Sequence, residues 1–250
     1  MTELPYTTYC DAITDEAARI ASIAAAHDLT AKVPSCPDWT LADLVRHVGV
    51  LQQWFAAMID RRSPTRLSPR EVAYGVPADI AGYPEWCASR AVEVDRVLRA
   101  ADPDAAMYTW GPGSRVAFWA RRMLMELLVH RHDAELAAGS LTEIDPILAA
   151  DGVEEFLVNL PSAESFAPHL SALRGGGETV RFATPGAEWT VRLDPESFGL
   201  VPSGTPDAAV MTTPEALLLL VYGRVGVDDP RVRTSGDAAL LAKWFTHSTF

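Results

Sequence analysis

Two histidines and a glutamate in the first half of the chain have the types and spacing of metal ligands. Glu126 and His130 lie four residues apart in a segment of helical periodicity, so their side chains project from one face, one turn apart. His47 lies beside the apolar stripe of an earlier helical segment. Two imidazoles and one carboxylate leave the fourth position of a zinc ion open, which is typical of catalytic zinc sites.

The carboxylate of Glu126 also has a simpler interpretation. A carboxylate directed into a helical bundle must be ion-paired, protonated or metal-bound, because burial of an unpaired charge is costly. A hydrogen bond from His130 would satisfy Glu126, and His47 would then be an ordinary core histidine. Spacing alone leaves both interpretations open.

The residues that follow His130 have two interpretations as well. Asp133 and Glu135 could orient a metal-bound imidazole from behind. Arg131 and Asp133 fit solvated surface charges or an ordinary ion pair equally well. On an ideal helix His132 points about 200° away from His130, so we expect it to be exposed rather than a ligand.

Four helices are predicted to position these side chains. The first three cover about residues 8–27, 40–58 and 85–101, and the fourth covers about 114–138. Thr40 and Asp43 mark the start of the second helix, after a predicted turn at 37–39. Gly139 is a stop signal for the fourth helix. A proline-rich connection at 64–84 makes this a bundle with one long crossover.

The second part of the chain has a different pattern. After a helix at 147–160 and a glycine break at 175–177, two runs of alternating polarity predict strands joined by a Pro185-Gly186 turn. The predicted strands cover about 178–184, 188–194 and 208–212, and two further helices cover about 214–222 and 236–246. This order predicts a separate α+β domain.

Composition excludes several classes of protein. A formal net charge of −12 without a basic patch argues against a nucleic-acid partner. No apolar run approaches the roughly 20 residues that cross a bilayer, and the amino terminus has no basic and apolar leader. We therefore expect a cytoplasmic protein that does not bind membranes.

The three cysteines do not suggest a thiolate site or a disulfide framework. Cys10, Cys36 and Cys87 are odd in number, widely separated and without a CxxC spacing. We interpret them as buried or inert thiols. Any thiol chemistry would then use an external thiol.

Two stretches carry a resemblance to a known family. The first is VPSCPDWTLADLVRHVG, at 33–49, and the second is ELLVHRHDAE, at 126–135. They resemble the two signatures of the mycothiol-dependent maleylpyruvate isomerase family. Asp38 stands where glycine is common in that family, and His132 where tryptophan is common. Neither departure removes a ligand.

The resemblance implies a fold and a ligand set. It implies a DinB-like metal-binding four-helix bundle at 1–148 and a small α+β domain at 149–250, similar to sterol carrier proteins. The motifs at 207–210, 221–224 and 235–244 carry the second likeness. His47, Glu126 and His130 correspond to the family's metal ligands.

The resemblance also implies cofactors and a reaction. Zinc or another divalent ion would lower the pKa of mycothiol, and the thiolate would isomerise a cis-alkene conjugated to a carbonyl, as in maleylpyruvate. The same thiolate could instead undergo S-transfer to an electrophile. Metal-assisted hydrolysis and a non-catalytic metal-binding protein remain alternatives. We expect a small-molecule substrate and a monomer or homodimer.

One further residue is a candidate for catalysis. Arg224 follows Gly223 at the end of an apolar helix. Its guanidinium could face a crevice between the domains and bind a substrate carboxylate. Alternatively, Arg224 caps the carboxyl end of its own helix.

Overall fold

A computed structural model describes residues 3–250, and these residues form two compact units. The helical unit consists of Leu4–Thr109 and Gly113–Thr142. The second unit includes Trp110–Pro112 and Glu143–Phe250. The predicted fold class, a helical amino-terminal region followed by an α+β region, is confirmed.

Four long helices build the helical unit. They are α1 (Tyr6–Ala26), α2 (Leu41–Asp60), α3 (Tyr83–Ala100) and α4 (Val116–Ala138). Helices α1 and α2 each pack against both α3 and α4. The Thr40 hydroxyl and the Asp43 carboxylate cap the start of α2 reciprocally. Gly139 adopts a left-handed conformation (φ 70°) and ends α4, as predicted.

A short hairpin precedes α2 and corrects one prediction. The segment predicted as a turn at 37–39 lies in strand β2 (Cys36–Thr40), which pairs antiparallel with β1 (Lys32–Val33). The turn lies earlier, at Pro34 and Ser35. Because β2 is extended and leads directly into α2, Trp39 lies close to the first turns of that helix.

Gly49 allows α2 and α3 to approach closely near the candidate site. A Cβ atom at Gly49 would lie only 2.3 Å from the ring of Trp86 on α3. Only glycine leaves room for that indole. The glycine two residues after His47 is therefore explained by helix packing.

The second unit is a five-stranded sheet with three helices. The helices are α5 (Pro146–Ala163), α6 (Pro214–Val221) and α7 (Ala238–His247). The strands are β3 (Glu178–Thr184), β4 (Ala187–Leu193), β5 (Phe198–Val201), β6 (Ala208–Met211) and β7 (Arg233–Gly236), in the sheet order β5-β4-β3-β6-β7. The β3–β4 hairpin was predicted, as was β6, which runs parallel to β3. Strands β5 and β7 were not predicted.

The apolar helices of the structure are core helices of ordinary length. Among the described residues, no helix is both long enough and apolar enough to span a membrane.

Candidate metal centre

The structure brings the three predicted metal ligands together. One side-chain ligand atom from each of His47, Glu126 and His130 lies within 4.8 Å of the other two. His47 comes from α2, whereas Glu126 and His130 come from adjacent turns of α4. The two imidazoles meet edge to face, with ring centroids 4.9 Å apart. Two neighbouring helices of the bundle therefore form one cluster of donor atoms.

The two ring nitrogens of His130 have different partners. Nε2 lies 3.6 Å from Oε2 of Glu126, on the side of the cluster. Nδ1 lies 3.0 Å from Oδ2 of Asp133, whose side chain is fully buried. A carboxylate accepts hydrogen bonds, so Nδ1 carries the proton and Nε2 is directed toward the other ligands. Asp133 thus has the orienting position that the sequence suggested for it.

Asp133 is itself held from a distant part of the chain. The Ser35 hydroxyl, in the turn between β1 and β2, donates a 2.6 Å hydrogen bond to Oδ1 of Asp133. Ser35, Asp133 and His130 therefore form a continuous chain of hydrogen bonds that ends at the cluster. This chain fixes the His130 ring in one orientation.

Glu126 is partly exposed, with 28% of its side chain accessible. Its Oε1 accepts a 2.9 Å hydrogen bond from Nη2 of Arg122, one turn earlier on α4. Burial alone would raise the pKa of Glu126, but the charge of Arg122, together with electrostatic contributions from the His130 and His47 side chains, outweighs burial and lowers that pKa. Glu126 is therefore held as a carboxylate, the form that binds metal ions.

Trp39 lies over both imidazoles. Its ring centroid is 5.0 Å from that of His47 and 6.2 Å from that of His130. The indole forms an apolar wall beside the donor atoms. Such a wall limits the access of water to that side of the cluster.

Of the neighbours of His130, Arg131 forms ion pairs, one of the two interpretations left open by the sequence, whereas Glu135 and His132 differ from expectation. Glu135 does not orient His130: its carboxylate accepts hydrogen bonds from Arg131 and Thr142. Arg131 is fully buried rather than solvated, and it also pairs with Glu16. His132, predicted to be exposed, is only 7% accessible. Helix α4 is surrounded by protein over most of its circumference, so pointing away from His130 does not mean pointing into water.

Arg224 lies in the second unit, just beyond α6. Its Nη1 donates a 2.9 Å hydrogen bond to the carbonyl of Tyr222, the residue that caps α6. Its backbone N–H donates to the carbonyl of Leu219. These contacts are those of the capping interpretation, and a catalytic role for Arg224 stays a prediction.

The cysteine environments fit the interpretation of inert thiols. Cys10 and Cys87 are buried, and Cys36 is half-buried. Burial raises the pKa of the Cys10 thiol and raises that of Cys87 to about 12. Neither Cys10 nor Cys87 has thiolate character at neutral pH.

Two residues near the cluster were missed by the sequence analysis. Arg122 lies four residues before Glu126, so the same helical spacing that paired Glu126 with His130 could have identified it. Ser35 is separated from Asp133 by 98 positions. No local pattern in the sequence connects those two residues.

The cluster fits a divalent ion. Neutral imidazole and carboxylate are borderline and hard donors that suit zinc, and ligand atoms around tetrahedral zinc at about 2.0–2.2 Å would lie roughly 3.4 Å apart. The observed limit of 4.8 Å requires only small side-chain movements to reach that spacing. The buried Asp133 behind His130 is the partner that metal-bound histidines commonly have.

Fold and site together define a class: a two-unit protein whose helical bundle presents a candidate site of two histidines and one glutamate. The chain belongs to the mycothiol maleylpyruvate isomerase family, because the model of that family's N-terminal domain matches residues 10–135 and the model of the MDMPI C-terminal domain matches residues 148–243. The family resemblance is thus confirmed.

Solved structures agree on the fold. The chain is similar to the crystal structure of a mycothiol-dependent maleylpyruvate isomerase, with 14% identity, a TM-score of 0.63, and coverage of 95% of this chain and 98% of that one. A histidine-to-alanine mutant of such an isomerase gives 13% identity, a TM-score of 0.64 and the same coverage. No curated protein sequence matches the chain.

Proposed function

We propose that the protein binds a divalent ion, zinc by preference, through His47, Glu126 and His130, and uses it to activate mycothiol. The observation that carries the proposal is the convergence of these three donor groups within 4.8 Å in a member of this family. The proposed reaction is the cis–trans isomerisation of maleylpyruvate or a similar small substrate.

Zinc in such a site supplies Lewis acidity, which lowers the pKa of a thiol so that thiolate is available at neutral pH. A thiolate bound there would add to one alkene carbon, and the electron pair of the alkene would move to the oxygen of the conjugated carbonyl. The former double bond could then rotate as a single bond. Return of the electron pair from the oxygen would re-form the alkene in its trans form and release the thiolate unchanged. The same thiolate and a substrate with a leaving group would give S-transfer.

The chain's own residues have defined tasks in this proposal. Asp133 keeps the proton on Nδ1 of His130 and so directs Nε2 toward the ion. Trp39 forms the apolar wall of the site. Arg224 is proposed to bind a substrate carboxylate through its planar guanidinium, and Arg224→Ala should then raise KM while metal content stays the same.

Metal analysis is the first test. Purified wild-type protein is expected to contain close to one equivalent of a divalent ion by mass spectrometry of its metals, and His47→Ala to lose it. His27→Ala is the matched control, because the exposed His27 forms a hydrogen bond with the Ile23 carbonyl at the end of α1 and lies outside the cluster. Equal metal content in His47→Ala and wild type would refute the assigned ligands.

The reaction is tested with maleylpyruvate, with and without mycothiol. Isomerisation that needs both mycothiol and the ion, without net thiol consumption, supports the proposal. Consumption of mycothiol with formation of a conjugate would replace isomerisation by S-transfer. Formation of a hydrolysis product without thiol would indicate a metal-dependent hydrolase. Metal binding without isomerisation, conjugation or hydrolysis would favour a non-catalytic metal-binding protein.

A further inference from the structure

We propose that Arg122 determines how Glu126 binds the ion, by holding one carboxylate oxygen so that only the other can coordinate. The inference rests on the proposed metal centre and adds a positioning residue to it. It concerns the number of donor atoms that the protein gives to the ion.

The two oxygens of Glu126 face different partners. Oε1 accepts the 2.9 Å hydrogen bond from Nη2 of Arg122. Oε2 lies 3.6 Å from Nε2 of His130, on the side where the other donor atoms converge. The geometry thus divides the carboxylate into one oxygen for the guanidinium and one for the ion.

The environment of Arg122 makes this division persistent. Only 5% of its side chain is accessible, compared with 28% for Glu126. An exposed Arg–Glu pair exchanges readily with water, whereas water has little access to a buried guanidinium. The charge-assisted hydrogen bond to Oε1 is therefore expected to survive metal binding.

The division has a chemical consequence. Carboxylates can bind a divalent cation through one oxygen or through both. With both oxygens, Glu126 would raise the protein's donor atoms from three to four and fill the position that a thiol needs. A guanidinium on Oε1 also withdraws negative charge from the carboxylate, which leaves the ion more strongly Lewis acidic.

Cobalt substitution provides a test that does not depend on activity. Four-coordinate Co²⁺ absorbs visible light much more strongly than five- or six-coordinate Co²⁺. Wild-type protein loaded with Co²⁺ is expected to give the intense spectrum of a four-coordinate ion. Arg122→Met frees Oε1, so its Co²⁺ spectrum is expected to weaken severalfold at equal occupancy.

The controls separate the hydrogen bond from a general effect of losing an arginine. Arg122→Lys keeps a cation that can contact Oε1 and should retain most of the intensity. Arg96→Met removes an arginine from an exposed ion pair with Glu93 in the same unit and should leave the spectrum unchanged.

Two results would overturn the inference while leaving the metal centre intact. One is an Arg122→Met protein that binds one equivalent of Co²⁺ with the wild-type spectrum. The other is a weak spectrum, typical of five-coordinate Co²⁺, in the wild-type protein itself. This second result does not depend on the folding of any variant. Failure of wild type to bind Co²⁺ or Zn²⁺ would refute the metal centre and the inference together.

Discussion

Helix α4 contributes to two polar clusters that both contain carboxylates but are organised differently. One stripe carries Glu126, His130 and Asp133, and the neighbouring stripe carries Arg131 and Glu135. The second cluster is built around a guanidinium, which pairs with Glu135, Glu16 and Thr142. In the first cluster, the donor atoms of His47, Glu126 and His130 converge on a common space.

Each cluster contains a glutamate whose pKa is shifted, and the two shifts have opposite directions. Burial raises the pKa of Glu16 despite the nearby Arg131 and Arg19. At Glu126 the charge of Arg122 and electrostatic contributions from the His130 and His47 side chains outweigh burial, and the pKa is lowered. A cluster closed by its own cation can serve the fold, whereas a carboxylate kept ionised beside two imidazoles suits a cation from solution.

The largest expected effect on stability is at the cluster of Arg131, Glu16, Glu135 and Thr142, which we call the closed cluster because it contains its own cation. Arg131→Met leaves the buried Glu135 without its cation and leaves Glu16 with only the exposed Arg19, so the free energy of unfolding should fall by about 3–5 kcal/mol. Urea denaturation measures it. The exposed pair of Arg96 and Glu93 is the matched control, and Arg96→Met should cost about 1 kcal/mol or less. Loss of metal from folded Arg131→Met protein, at unchanged stability, would reverse the roles assigned to the clusters.

The cluster of His47, Glu126 and His130, which we call the open cluster because it is proposed to bind an ion from solution, should stabilise the folded protein when the ion is bound. Added zinc at about 100 times its Kd should raise the free energy of unfolding by roughly 2.7 kcal/mol, because the ion binds the folded state. Thermal denaturation with zinc and with a chelator measures the difference. The zinc-dependent shift should disappear in His47→Ala and persist in His27→Ala. An equal shift in His47→Ala would place zinc elsewhere on the molecule.

Asp133 belongs to the open cluster although it does not face the ion. Asp133→Asn removes the charge that holds the Nδ1 proton of His130, so zinc affinity should fall about 10- to 100-fold. Competition with a chromophoric chelator measures that affinity. Asp38→Asn, at an exposed position of β2, is the control and should bind zinc like wild type. Wild-type affinity in Asp133→Asn would limit Asp133 to a structural role.

The sequence predicted the open cluster better than the closed one. Glu126 and His130 lie on adjacent turns and so leave a local pattern, whereas His47 was found from its position beside an apolar stripe and from the first family signature. The closed cluster was missed because, between Val116 and Glu135, all residues of α4 except Phe118 and Glu126 are buried. A helix buried on all sides has no polar face from which exposure can be inferred.

Strand prediction failed for a related reason. The side chains of β7 are all exposed, so Arg233–Gly236 shows no alternation between buried and exposed positions. Strand β2 contains Pro37 and Asp38, which are rare in strands, and its pairing with β1 depends on the fold around it. The β3–β4 hairpin was predicted because its strands alternate and a Pro-Gly turn joins them.

The smallest expected effect concerns the contact that no local pattern could reveal. Ser35→Ala removes one hydrogen bond from the buried Asp133 carboxylate, which corresponds to about 0.5–1.5 kcal/mol, or roughly a 2- to 10-fold loss of zinc affinity. Because Ser35 acts only through Asp133, its loss should matter much less in the Asp133→Asn background. The same chelator competition on the single and double variants measures this coupling. Fully additive losses would show that Ser35 affects zinc binding by a route other than the Asp133–His130 hydrogen bond.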